Sequence, residues 1–248
     1  SLKFTNKQIK EIYKKVKNFP WVEMYNNKDW KSGTNLGYMK KLSKYWTNKF
    51  KWRKQEKEIN KFSNFKTKVD DISIHFIYEK GSGANSTPLL LMHGWPGSII
   101  EFLPIIEKLA HPEKYGGDVN DSFDVIVPSL PGFGFSGKPT RPIGPRKIAS
   151  IMNKLMVKNL KYKSYLAQGG DWGATIACWL GYDHSKYCMG IHINCLTMRH
   201  PKGPQTMQEK KWQIEFNNDQ IMQDGYRTQQ ATKPQTLSYA MMDSPVGT

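Results

Sequence analysis

A mostly parallel α/β sheet with helices on both faces, preceded by a helical extension, is the fold this sequence predicts. Three observations carry that reading. From about residue 63 onward, short apolar runs alternate with amphipathic stretches, the signature of parallel strands joined by crossover helices. Apolar residues make up 38% of the 248, with 8 Trp, 12 Tyr and 11 Phe, which suits a packed core and excludes a disordered chain. The first 60 residues show helical spacing instead of strand alternation.

The elements follow in order. Thr5-x-x-Gln8 has capping-box spacing, and Ile9, Ile12, Tyr13 and Val16 recur behind it on one helical face. Asn35 is placed to cap a second helix holding Tyr38, Leu42, Tyr45 and Trp46; the aromatic stretch around Trp21, Tyr25 and Trp30 between them has no period. Residues 65–69 and 72–78 read as two strands, the second alternating Ile72, Ile74, Phe76 and Tyr78 with Ser73, His75, Ile77 and Glu79. Short buried strands are expected at 89–92, 123–127, 164–167 and 188–193, and helices near 148–156 and 174–180. That makes about six core strands by residue 193, with loop and cap-like sequence from Leu196.

Charge and composition exclude several functions. The formal net charge is +16, and residues 1–60 supply +11 of it, from 16 Lys and Arg against 5 Asp and Glu. Only five residues of the chain are Arg, so the guanidinium forks of base readout are scarce, and no zinc-finger or RNP motif occurs. A solvated lysine surface is the first reading and a membrane-facing patch the second; no nucleic-acid partner is expected. No apolar run approaches the roughly 18 residues of a membrane span. Three cysteines without CxxC spacing suggest neither a disulfide framework nor a zinc site. The six histidines read as ordinary surface or core residues, and neither metal nor cofactor is expected.

Two phosphate-binding patterns are tested and fail. Gly132-x-Gly134-x-x-Gly137 matches GxGxxG, but Pro139, Pro142 and Pro145 stand where a phosphate-binding helix would begin, and no Asp or Glu lies between Val125 and Gly170 to hold a ribose. The same stretch nearly fits a P-loop, but Pro139 occupies the Ser/Thr position that would bind magnesium.

Gln168-Gly169-Gly170-Asp171-Trp172-Gly173 is the informative segment. A strand runs in, a helix runs out, and glycines stand two residues either side of Asp171. That is the small-x-nucleophile-x-small elbow, with Asp in the place of Ser. The turn forces its central residue into a strained conformation, side chains at the flanks would collide with the neighbouring strand or helix, and the helix dipole stabilises a carboxylate there. A simple helix cap at Asp171 satisfies the same pattern. His93-Gly94-Trp95-Pro96-Gly97, directly after the 89–92 strand, favours the nucleophile: such a loop supplies one oxyanion N–H and the residue after the nucleophile another, here Trp95 and Trp172.

With these motifs in hand the resemblance is specific. HGWPGS (93–98), PSLPGFGFSG (128–137) and QGGDWG (168–173) resemble the microsomal-type epoxide hydrolases of the α/β-hydrolase superfamily, and the insect juvenile hormone epoxide hydrolases in particular. YW (45–46), FKWRKQEKEIN (50–60), FKTKV (65–69) and IHFIYEK (74–80) resemble that family's N-terminal region, and 225–247 the start of its cap. The resemblance implies a helical region at 1–62, the first part of the α/β-hydrolase core at 63–200 and the beginning of a lid at 201–248. It implies that Asp171 opens a lipophilic epoxide to a hydroxyalkyl ester, that Tyr226 is one of the tyrosines serving as acid to the epoxide oxygen, and that Trp95 and Trp172 hold the oxyanion when water cleaves the ester. For Tyr226 alone, a packing or surface tyrosine is the alternative. PSLPGFGFSG reads as a structural loop behind the elbow.

The resemblance further implies an endoplasmic-reticulum or microsomal setting with peripheral or anchored membrane association. The family's second tyrosine, relay acid and catalytic histidine have no match in these residues, so this chain alone is expected to be alkylated at Asp171 and to turn over very slowly. A chain ending at Thr248 would lack two core strands, and one starting at Ser1 without Met suggests processing or an omitted segment upstream. Two other functions share the pattern: a haloalkane dehalogenase-like hydrolase, which uses the same Asp elbow, and a non-catalytic apolar-ligand-binding or truncated relative.

Overall fold

The computed structural model describes residues 1–23, 25, 29–196 and 200–248. Two compact units divide the chain, residues 1–2 with 56–198 and residues 3–55 with 199–248. The sequence-predicted stretch around Tyr25 lies partly outside the described residues.

The first unit holds a six-stranded sheet: β1 (Ser63–Val69), β2 (Ile72–Glu79), β3 (Thr87–Met92), β4 (Phe123–Pro128), β5 (Tyr165–Gly169) and β6 (Cys188–Ile193), in spatial order β1-β2-β4-β3-β5-β6. β1, β2 and β4 pair antiparallel, while β4, β3, β5 and β6 run parallel. The strands stand close to where the apolar runs predict them. The expected alternation in β2 is wrong at its centre, where Ile74 to Ile77 are all buried. β2 is interior, flanked by β1 and β4, and both its faces are covered, so the half-buried pattern of an edge strand does not apply.

Helices α1 (Asn6–Lys17), α2 (Leu36–Asn48) and α3 (Trp52–Ile59) precede the sheet. Thr5 caps α1 with a full capping box, and the Asn35 side chain accepts from Tyr38 N–H to cap α2, both as the sequence predicts. Within the sheet unit, α4 (Leu103–Ala110) covers one face with Ile106 and Ala110 against Leu91, Val125 and Val127. α5 (Pro145–Lys154) and α6 (Trp172–Asp183) cover the other face against Leu90, Met92, Ile126 and Tyr165. Fully burying side chains of this size contributes about 1.5–3 kcal/mol each, which is why the central strands hold the unit together. α5 passes into a π-helical turn over Leu155–Asn159.

The second unit contains α1, α2, α7 (Met207–Gln223), α8 (Gly225–Thr232) and α9 (Pro234–Asp243). α1 and α2 face an apolar pocket lined by Ile9, Ile12, Leu42 and Trp46. The Tyr13 hydroxyl donates to the Phe50 carbonyl at 2.7 Å, and Lys15 donates to the Asp243 carbonyl at 2.6 Å. The stretch expected to be loop and cap-like is largely helical. Its signal stood in the sequence as Thr206-x-x-Glu209, which forms a capping box at the start of α7.

Candidate functional site

The register of β3 and β5 builds the site. Met92 pairs with Gly169, so the two parallel strands end side by side. The His93–Ser98 loop and the turn carrying Asp171 therefore leave the sheet as neighbours, at the carboxyl ends of the strands, where open α/β sheets bind ligands.

Asp171 bridges β5 and α6 with φ +49° and ψ −121°. A non-glycine residue held in such a region costs roughly 1–3 kcal/mol, which the surrounding packing must impose. A Cβ at Gly169 would strike the backbone of Gly173, and one at Gly173 would strike the Met92 carbonyl. The flanking glycines expected from sequence thus have identified partners, one in the helix and one in the strand.

The two readings of Asp171 separate here. It occupies the N-cap position of α6, but its side chain makes no capping hydrogen bond. Its Oδ1 instead accepts from the Trp95 N–H at 2.8 Å. The carboxylate turns away from the helix it precedes and toward the loop after β3. That approach is open because residue 94 is glycine: a Cβ there would collide with the Asp171 side chain. The Trp95–Pro96 bond within the loop is cis. Trp172 is the first residue of α6, so its N–H is one of those a helix leaves without an internal partner, and the helix dipole adds positive potential beside the carboxylate. Trp172 is 50% exposed and Trp95 is half-buried, offering apolar surface next to an exposed Asp171. Among the described residues no Lys, Arg or His forms an ion pair with Asp171.

The structure thus brings together Asp171, Trp95 and Trp172. Tyr226 belongs to the other compact unit, in the first turn of α8, and is 60% exposed.

Two residue sets escaped the sequence reading. His93 is 1% exposed, and its ring spans two loops: Nε2 accepts from the Leu130 N–H at 3.1 Å and Nδ1 lies 3.0 Å from the Gly94 carbonyl. Burial holds its pKa below the usual 6.5, against the opposing pull of the Gly94 carbonyl and Glu101. At the far end of the same loop, Ser98 and Glu101 form a capping box, Glu101 Oε1 accepting from the Ser98 N–H at 3.1 Å. The Ser-x-x-Glu spacing was a usable signal for this second set. His75, also buried, sits between Asn64 Oδ1 and Ser129 Oγ at 3.0 Å each, and burial together with Lys66 holds it down to about 4.

Among the described residues no cluster of three or more His, Cys, Asp or Glu could hold a metal ion, and no helix is long and apolar enough to cross a membrane.

Comparison with known proteins adds to this geometry. Residues 1–102 match a family described as epoxide hydrolase N terminus, and residues 87–241 one described as alpha/beta hydrolase fold. Over 231 residues the chain is 40% identical to a Stigmatella aurantiaca protein named provisionally as an epoxide hydrolase, covering 92% of this chain and 52% of that one. It is 32% identical to epoxide hydrolase 1 of Sus scrofa, covering 98% of this chain and 58% of the relative. The crystal structure of juvenile hormone epoxide hydrolase from Bombyx mori superimposes with a TM-score of 0.87 at 28% identity, over 100% of this chain and 62% of that one. The chain therefore spans little more than half the length of the curated relatives it matches.

Proposed function

Because the chain belongs to the α/β-hydrolase family and opens with the N-terminal region of the epoxide hydrolases, we propose that it opens a lipophilic epoxide, of the juvenile-hormone or xenobiotic kind, with Asp171 as nucleophile. One observation carries this reading: Asp171 is held at positive φ at the head of α6, yet its carboxylate serves the Trp95 N–H instead of the helix.

The two carboxylate oxygens have different fates. Oδ1 is engaged by Trp95, so Oδ2, without a hydrogen bond among the described residues, is the oxygen that attacks. Its lone pair forms a bond to an oxirane carbon from the back as the C–O bond of the ring breaks. The departing oxygen takes a proton from a phenol, the role proposed for Tyr226, because an alkoxide is a poor leaving group. The product is a hydroxyalkyl ester whose carbonyl oxygen is Oδ1. Water then adds to that carbonyl, and the oxyanion forms on the oxygen already held by the Trp95 N–H, with the Trp172 N–H as the second donor. Collapse releases the diol and restores the carboxylate. Water attack requires a general base, and His93 is unsuited to it, since both ring nitrogens are engaged by backbone groups. The half-reaction assigned to this chain's own residues is ester formation.

The apolar flanks of Trp95 and Trp172 support a lipophilic substrate. The excess of lysine in residues 1–60 supports peripheral attachment to an anionic membrane such as the endoplasmic reticulum.

Incubation with excess styrene oxide, followed by peptide mass spectrometry, tests the proposal. The expected result is one stoichiometric adduct of epoxide mass on Asp171, persisting for hours, and none in Asp171→Ala. Labelling elsewhere with Asp171 unmodified would overturn it.

A further inference from the structure

We infer that His93 is a positioning residue for this chemistry: its neutral imidazole, protonated on Nδ1, ties the loop after β3 to the loop after β4 and thereby fixes the Trp95 N–H on Asp171. The inference rests on the reading of Asp171 as nucleophile, and it gives a purpose to the PSLPGFGFSG stretch.

The tautomer follows from a donor whose identity is certain. The Leu130 backbone nitrogen can only donate, so Nε2, 3.1 Å away, must be the unprotonated nitrogen. The proton of the neutral ring then sits on Nδ1, which donates to the Gly94 carbonyl at 3.0 Å. Gly94 is the residue that lets Asp171 approach, and its carbonyl carbon is bonded to the Trp95 nitrogen. One ring therefore orients the peptide plane whose N–H meets the carboxylate. A protonated imidazole would carry a hydrogen on both nitrogens and point one at the Leu130 N–H. Burial, which disfavours the charged ring, guards against that state.

The anchor on the other side is equally fixed. Leu130 is fully buried, and Phe133 packs on the His93 ring at 5.3 Å between centroids, at 69°. Gly132 and Gly134 take φ +85° and +50°, folding the chain so that Phe133 can reach back. The Gly132 N–H donates to the Gly137 carbonyl, closing the loop on itself at 2.9 Å, and the Gly137 N–H donates to Ser73 of β2 at 2.7 Å. The glycine-rich stretch, which failed as a nucleotide motif, is built as a rigid seat for one histidine. At the loop's other end the Ser98–Glu101 box fixes the exit. Between the two pins lie only Gly94 to Gly97, too few residues for Trp95 to drift.

The test uses the full chain with His93→Leu, which fills the site without hydrogen bonds, and His93→Gln, whose Oε1 reaches the Nε2 position to accept from Leu130. Amide hydrogen exchange at Trp95 is read by NMR alongside the rate of adduct formation with styrene oxide at Asp171. His93→Leu is expected to lower Trp95 protection and adduct rate at least about 10-fold while the β3–β5 amides stay protected, and His93→Gln to recover most of both. Unchanged Trp95 exchange in His93→Leu, or equal losses in both variants, would overturn the inference. Should His93→Leu fail to fold, the ring nitrogen shifts of the wild-type chain at pH 8 decide: a proton on Nε2 sinks the assignment, and one on Nδ1 upholds it. Wild-type chain that forms no adduct defeats the nucleophile reading alone, because Trp95 exchange still reports on His93.

Discussion

Two aspartates of the sheet unit share an unusual backbone and differ in everything else. Asp70, in the turn between β1 and β2, has φ +51°; Asp171, between β5 and α6, has φ +49°. The Asp70 carboxylate accepts from Lys154 at 2.7 and 2.8 Å and from Lys147 at 3.4 Å, and Lys154 above all holds its pKa below the usual 3.8. Among the described residues, the Asp171 carboxylate has a single backbone N–H and no cationic partner. The contrast bears on Asp171 as the proposed nucleophile. An ion-paired carboxylate must give up its partner to attack, and the pair lowers the energy of the reactant state. A neutral amide fixed by the fold orients one oxygen, leaves the other free, and still stabilises the charge that develops on the ester carbonyl. Strain alone does not mark a site; the proposal for Asp171 rests on strain without an ion pair, beside an oriented donor.

The comparison can be tested by substitution. The elbow has no slack, whereas the hairpin does. Gly173→Ala pushes a methyl into the Met92 carbonyl and is expected to cost about 3 kcal/mol in urea unfolding, while Asp71→Ala in the hairpin stays within about 0.5 kcal/mol. Removing the strain should separate the two aspartates next. Asp171→Gly relieves an unfavourable φ and loses one exposed hydrogen bond, so the melting temperature should rise by the equivalent of about 1 kcal/mol; Asp70→Gly gains the same relief but loses two lysine contacts, and should change little. The smallest effect is electrostatic. Asp70's folded-state pKa is depressed, so its contribution is present above pH 3.8 and lost as pH falls through the lower folded value. With the carboxylate partly exposed, that contribution is no more than about 1 kcal/mol, and Asp70→Asn should remove it from the acid limb of the stability profile.

Legibility in the sequence followed how local the determinants were. The elbow glycines, the strand entering and the helix leaving are contiguous, so Asp171 and its need for small flanks could be read directly. The β6 bounds came out as expected because Cys188–Ile193 is a short apolar run between polar turns. The partner of Asp171 depended on register: only the pairing of Met92 with Gly169 brings Trp95 across 76 residues of sequence. His93 was overlooked for the same reason, since Leu130 and Phe133 lie some 40 residues further on and nothing local announces a hydrogen bond to either. β2 was misjudged because alternation reports one neighbour, whereas burial on both faces is decided by the whole sheet. Tyr226 differs again. α7, α8 and α9 bury no residue, so neither period nor packing singles it out, and the role proposed for it came through resemblance alone.

The two rims of the sheet are defended unequally. β1 carries Lys66 and Lys68, side chains that discourage another strand from docking, whereas β6 reads Cys-Met-Gly-Ile-His-Ile, with Met189 and Ile191 in contact with solvent. Of the two rims, β6 is the one whose apolar side chains and backbone groups suit the docking of a further strand.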